Sequence, residues 1–143
     1  MRTARDWCDM LMRILEGTPR DPALRSHHAS AVVYRNSLVG IGFNSMKSHP
    51  FQARFGKNKD AIFLHSEVAA IKNSIRHLSE RELNRSTLYV TRIKQDQFSR
   101  QMVPGIARPC AGCARAIAEF GIARVVYTLD GPGLSCDHAQ IEA

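Results

Sequence analysis

The chain has 143 residues, 44% of them hydrophobic and 23% charged, enough for one core and too few for two comfortable ones. No apolar run approaches the roughly eighteen residues of a membrane helix, and the charge-broken N-terminus MRTARDWCDMLMRILEG lacks the small-residue cleavage site of a secretory signal, so a cytoplasmic protein without membrane partners is expected. Lys and Arg number 20 against 13 Asp and Glu, a formal net charge of +7, which favours anionic partners such as nucleotides or nucleic acid without choosing between them.

Residues 4–16 predict a helix, because Trp7, Met10, Leu11, Ile14 and Leu15 share a face and Gly17 and Pro19 follow. Trp7 and the methionines read as core. Residues 29–34 (ASAVVY) and 38–43 (LVGIGF) predict two strands, joined as a hairpin by Arg35-Asn36-Ser37. His27 and His28, just before the first strand, are expected to cap it or face solvent. Residues 45–60 are polar and basic, with a Pro and a Gly, and read as a long loop. Residues 64–78 return to helical spacing through Val68, Ile71, Ile75 and Leu78. Thr87 to Ile93 is β-rich, and 94–108 reads as a second long loop. Residues 110–120 predict a helix stopped by Gly121, and 123–129 a last strand. The tail GPGLSCDHAQIEA opens on turn residues and cannot be placed.

The order helix, hairpin, helix, strand, helix, strand ends in a strand–helix–strand unit, which favours parallel pairing. The expected fold is α/β: a three-layer α/β/α sandwich over a mixed sheet, carrying an N-terminal hairpin and a parallel strand–helix–strand unit, with residues 1–143 as one domain.

Four cysteines in a reducing compartment make a poor disulfide framework. Cys110-x-x-Cys113 by itself fits either a metal site or a redox dithiol at a helix start. His65-Ser66-Glu67, at the start of another predicted helix, changes the balance. One imidazole and two thiolates form a ligand set that Zn²⁺ accepts with one position left open. Two thiolates also cancel the charge of the ion, and helix N-termini favour thiolate. Glu67 is not needed to complete the ligand set, so it is free to take a proton from water and pass it to a leaving group. Its other reading is an acidic residue in a helix's first turn, favoured there by the dipole. An H-x-E motif followed by P-C-x-x-C is the signature of zinc deaminases.

His65-Ser66-Glu67 with Pro109-Cys110-Ala111-Gly112-Cys113 resembles the cytidine/deoxycytidylate deaminase superfamily, which includes nucleoside, nucleotide, tRNA adenosine and polynucleotide cytosine deaminases. The likeness runs over roughly residues 28–129, with GIGFN, TLYVT, the Cys-x-x-Cys helix and GIARVVY in the family's order. It implies His65, Cys110 and Cys113 as zinc ligands, Glu67 as proton shuttle and Asn44 as a contact to the substrate's sugar or base. It also implies a homo-oligomer, and the reading favoured here is a free nucleotide or nucleoside as substrate, deoxycytidylate first.

Ser66 stands where the family more often has Ala, and is counted with the candidate substrate contacts. The basic loop adds Lys47 and His49 to them, alongside Arg54, Lys57 and Lys59 as phosphate partners. Phe51 and Phe55 in that loop suit either base stacking or capping of the core. The tail is expected to be too short for the further helix and strand of many family members. The direction of that strand helps separate the free-nucleoside type from the nucleotide and tRNA type. Three rivals stay open: a deaminase of single-stranded DNA or tRNA, a catalytically silent zinc module, and a redox dithiol. Cys8 reads as core, and Cys136 with His138 is too sparse a pair for a second metal.

Overall fold

Trp7, Cys8, Leu11, Met12 and Leu15 form one apolar stripe, and helix α1 (Ala4–Gly17) buries it. Thr3 and Asp6 close its N-terminus as a reciprocal capping box. The computed structural model describes residues 1–19, 24, 26–45, 50–55, 64–131 and 133–140. Among these, strands β1 (Ser26–Tyr34) and β2 (Ser37–Phe43) form the expected hairpin. Its two-residue turn places Arg35 and Asn36 at φ 48° and 61°, the mirror-image turn whose twist matches paired strands.

Helices α2 (Pro50–Phe55), α3 (Ser66–Ser74) and α4 (Glu80–Asn84) precede β3 (Thr87–Gln95) and β4 (Met102–Pro104). Helix α5 (Ala111–Glu119) then leads to β5 (Arg124–Thr128) and β6 (Cys136–Gln140). The sheet runs β2-β1-β3-β5-β6, with β4 pairing β3 off this path. Among the described residues only β3 and β5 pair in parallel, in register Thr87↔Arg124 to Val90↔Tyr127, and α5 makes the crossover that parallel strands require. The expected mixed sheet with a parallel strand–helix–strand unit is therefore the fold.

Alternation along the strands builds both layers. Ala29, Ala31, Val33, Tyr89, Ile93 and Val126 pack under α1. Val32, Leu88, Val90 and Val125 pack with Ile71 of α3 and Ile117 of α5 on the opposite face. The approach of β2 to α3 requires glycine. A Cβ on Gly42 would lie 2.4 Å from the backbone nitrogen of Ala70. Gly42→Ala is expected to destabilise the fold by about 1–3 kcal/mol, the usual range for overpacking. Chemical denaturation of the zinc-loaded protein measures this, and an unchanged midpoint would mean that the strand and helix part without cost.

Several expectations are corrected. The predicted helix at 64–78 ends at Ser74, whose hydroxyl turns back to the carbonyl of Ala70 (2.7 Å). A separate helix, α4, then starts on a Ser79/Glu82 capping box, a signal present in the sequence. The predicted loop at 45–60 contains α2. The predicted loop at 94–108 contains β4, reached through a turn that Asp96 holds by accepting from the Ser99 amide and hydroxyl. The first strand starts at Ser26, so His27 and His28 belong to β1 instead of preceding it.

The tail also forms a strand. β6 runs antiparallel to β5, from Arg124↔Gln140 to Thr128↔Cys136. An antiparallel partner needs only a turn, so no further helix is required. Among the described residues, no helix is long and apolar enough to cross a membrane.

Candidate active site

Both motif halves begin helices on the same face of the sheet. His65 is the N-cap of α3 and Cys110 the N-cap of α5, each with extended backbone and no side-chain capping bond. Their side chains are thus free to point away from the helix, while the N–H groups of the first turn face the same space. His65 Nδ1 lies 3.2 Å from Cys113 Sγ and 3.7 Å from Cys110 Sγ. The three donor atoms lie within 4.8 Å of one another. Zn–S bonds of about 2.3 Å and a Zn–N bond of about 2.0 Å at tetrahedral angles put such donors about 3.6 Å apart. The set therefore fits a zinc ion with one position left for another ligand, and Cys110, the exposed member, stands on the solvent side.

The electrostatics agree. The Cys113 thiol, then His65 and the Cys113 backbone N–H, hold the Cys110 sulfur down to about 3. Cys113 is driven the other way by Cys110 and by burial, and contact with Cys110 raises His65. Cys110 thus favours the thiolate and Cys113 the thiol, and a cation held by the three donors would displace the remaining proton.

Glu67 follows in the first turn of α3 and is 5% exposed. Burial pushes its carboxyl above the usual range. Ser66 Oγ donates to Glu67 Oε1 (2.9 Å), which uses its one proton, so Ser30 Oγ donates to Ser66 (2.8 Å). Ser66 is fully buried, and its hydroxyl is spent on the carboxylate.

Asn44 follows β2 and bridges back to β1. Its Oδ1 accepts from the His28 amide (2.9 Å) and its Nδ2 donates to the Ser26 carbonyl (3.1 Å). One amide proton and one lone pair remain for a ligand. His28, His65, Ser66, Glu67, Asn44, Ala107, Arg108 and Cys110 line one cavity of about 190 Å³. Five of the predicted site residues therefore share it. The sixth, Cys113, closes the donor set from beneath, fully buried among Phe55, Val68 and Ala116. The remaining two, Lys47 and His49, lie outside the described residues, as do Lys57 and Lys59.

Three contributors escape the sequence. Gln52 of α2 is 1% exposed. Its Oε1 accepts from the His65 amide (3.1 Å), and its Nε2 lies 3.9 Å from Cys113 Sγ, so one side chain ties the two motif halves together. Phe55 packs in the core instead of offering a stacking face, and Arg54 pairs with Glu119 of α5 (2.5 Å). His28 lines the cavity. Burial first, then the facing Arg92, lowers its pKa to about 4, so its ring is neutral at pH 7.

Arg108 is the third. It is exposed at the cavity wall, and the segment carrying it is pinned. Gly105 and Ala107 donate to Arg92 and Thr128 carbonyls (2.9 and 3.0 Å), and the Ile106 amide donates to Asp130 (2.9 Å).

The sequence matches the family described as the cytidine and deoxycytidylate deaminase zinc-binding region over residues 8–129. Among solved structures, it is similar to a cytidine deaminase from Burkholderia pseudomallei, with TM-score 0.64 at 13% identity over 98% of this chain and 94% of that one. It also matches a dCMP deaminase from cyanophage S-TIM5, with TM-score 0.49 at 17% identity over 88% and 79%. A search of curated proteins found no significant match.

Proposed function

The chain belongs to the cytidine and deoxycytidylate deaminase zinc-binding family, and from that premise we propose that this zinc-dependent deaminase hydrolyses the exocyclic amino group of a cytosine-type nucleotide or nucleoside, deoxycytidylate first. One observation carries the reading: the buried Glu67 carboxyl opens into the same cavity as the His65 and Cys110 donors. A zinc site that only supports structure has no use for that group.

In this reading His65, Cys110 and Cys113 hold the zinc, which when bound lowers the pKa of water towards neutrality. Glu67 accepts one proton from the attacking water and passes it to the ring nitrogen, then carries the second, from the hydroxyl now on the ring carbon, to the amino group that leaves as ammonia. Ser66 holds the carboxylate in one rotamer. Asn44, fixed by its two bonds to β1, orients the substrate with its spare amide proton. Gln52 keeps the two ligand-bearing helices in register. Residues 1–143 act as one deaminase unit, in a cytoplasmic homo-oligomer.

The preference for a phosphate rests on Arg108. Among the described residues its guanidinium has no hydrogen-bond or ion-pair partner, and a planar fork matches phosphate oxygens. Arg108→Ala is expected to lower kcat/KM for deoxycytidylate on the order of tenfold to a hundredfold, the value of one charge-assisted contact, and to leave deoxycytidine unchanged. Steady-state kinetics on both substrates test this. Equal losses on both would remove the phosphate role.

A second reading, deamination within a polynucleotide, is supported by Phe98. It stands 94% exposed between β3 and β4, on the segment that continues to Arg108, where an aromatic ring suits base stacking. Ammonia release from deoxycytidylate, cytidylate, both nucleosides, adenine and guanine nucleotides and single-stranded oligonucleotides decides the matter. Release from none of them would sink the deaminase reading of this site.

A further inference from the structure

The end of the sheet away from the active site carries a second charged hollow. Arg2 precedes α1, Arg35 lies in the β1–β2 turn, Arg85 follows α4 and Arg124 opens β5. All four line one hollow of about 240 Å³ with Asn36, over the edges of Trp7 and Tyr89. His28 pairs with Arg92 at the active-site end of β1, and Val33 pairs with Thr87 at the other. Five residues of strand separate them, about 17 Å.

All four arginines are exposed, and among the described residues none makes an ion pair. Asp6 and Glu82 feel Arg2 and Arg35. Both carboxylates are already spent on capping boxes, accepting from the Thr3 and Ser79 amides at 2.8 and 2.9 Å. The rim is also ordered. The Arg2 amide donates to Asn36 Oδ1 (3.0 Å), and the Arg2 guanidinium stacks over Trp7 at 5.0 Å. Arg35 stacks over Tyr34 at 5.4 Å.

Four guanidiniums from four separate stretches of chain repel one another unless an anion offsets them. Their planar forks suit phosphate oxygens. The hollow is open but bounded at about 240 Å³, so it matches a short chain of linked phosphates carrying three or four charges better than an extended backbone. We propose that this hollow is a binding site for a di- or triphosphate chain, separate from the zinc cavity and independent of the deamination reading.

The test is titration calorimetry of the zinc-loaded full chain with inorganic tripolyphosphate, orthophosphate and a single-stranded thymidine oligonucleotide. The variants are Arg35→Gln, Arg85→Gln and Arg124→Gln, singly and together. Zinc content and melting temperature confirm that each variant is folded. Tripolyphosphate is expected to bind more tightly than orthophosphate and to weaken with added salt. Each single change should cost roughly threefold to tenfold and the triple change about 30-fold or more, with deaminase turnover unaltered. Three results would overturn the proposal: no tripolyphosphate binding, binding that the folded triple variant retains, or arginine-dependent binding of the oligonucleotide alone.

Discussion

Glu67→Gln is expected to keep one zinc per chain and to lose about 10³- to 10⁴-fold in kcat. The amide fills the same volume and can still accept from Ser66 Oγ, the bond that orients the carboxylate at 2.9 Å. It cannot take a proton from water or return one. General acid–base catalysis is worth on the order of 10²–10⁴-fold, and the upper part of that range applies because one group serves both the attack and the departure of ammonia. The fold should not suffer. Burial raises the Glu67 pKa, so the ionised form bears a desolvation cost that a neutral amide avoids. The melting temperature should hold or rise, as it does where an active-site group is kept at the expense of stability. Ammonia release, metal analysis and thermal unfolding on one preparation give all three readouts. Turnover within tenfold of wild type, with zinc retained, would end the proton-shuttle role.

Cys113→Ala and Cys110→Ala should both remove zinc and activity, yet differ in stability. Each leaves two protein donors of the three within 4.8 Å, too few to hold the ion through dialysis. Activity should fall at least about 10³-fold, since the activation of water goes with the metal. Cys113 is fully buried against Phe55, Val68 and Ala116, so its loss also opens a void in the packing. That adds about 1 kcal/mol beyond the metal contribution. Cys110 is exposed, and its replacement should cost the metal contribution alone. Unfolding measured with and without a chelator separates the two. Cys110→Ala and chelator-treated wild type should melt together, with Cys113→Ala below both. If zinc stayed bound in either variant, these sulfurs would not be its ligands.

The donor spacing was legible because it is local. Cys110 and Cys113 lie three residues apart at a helix start, and His65 and Glu67 two apart at another. A cap and a first turn set where such side chains point, whatever the rest of the chain does. The stripe of α1 was legible for the same reason. α4 was missed although its Ser79/Glu82 box is equally local. Five residues are too few for an apolar period to show.

Gln52, Arg108 and His28 were not legible. Nothing near Gln52 in the sequence says that it reaches the His65 amide and the Cys113 sulfur. The bond to Cys113 spans 61 positions. Arg108 adjoins the motif, yet only the bonds from Gly105 and Ala107 to β3 and β5 turn that segment to the cavity. His28 looked like a residue outside a strand, because alternation registers only where apolar residues mark one face.

By itself, then, the sequence determined the ligand types, their helix-start placement, the carboxylate beside them and the layered α/β order, since each depends on contacts within a few residues. Only the tertiary structure decided which polar side chains join the cavity, that the tail pairs antiparallel with β5, and that four arginines scattered from 2 to 124 meet at one hollow. Those contacts come from sheet register and helix docking, which sum many weak interactions over the whole chain and leave no mark on any short stretch of it.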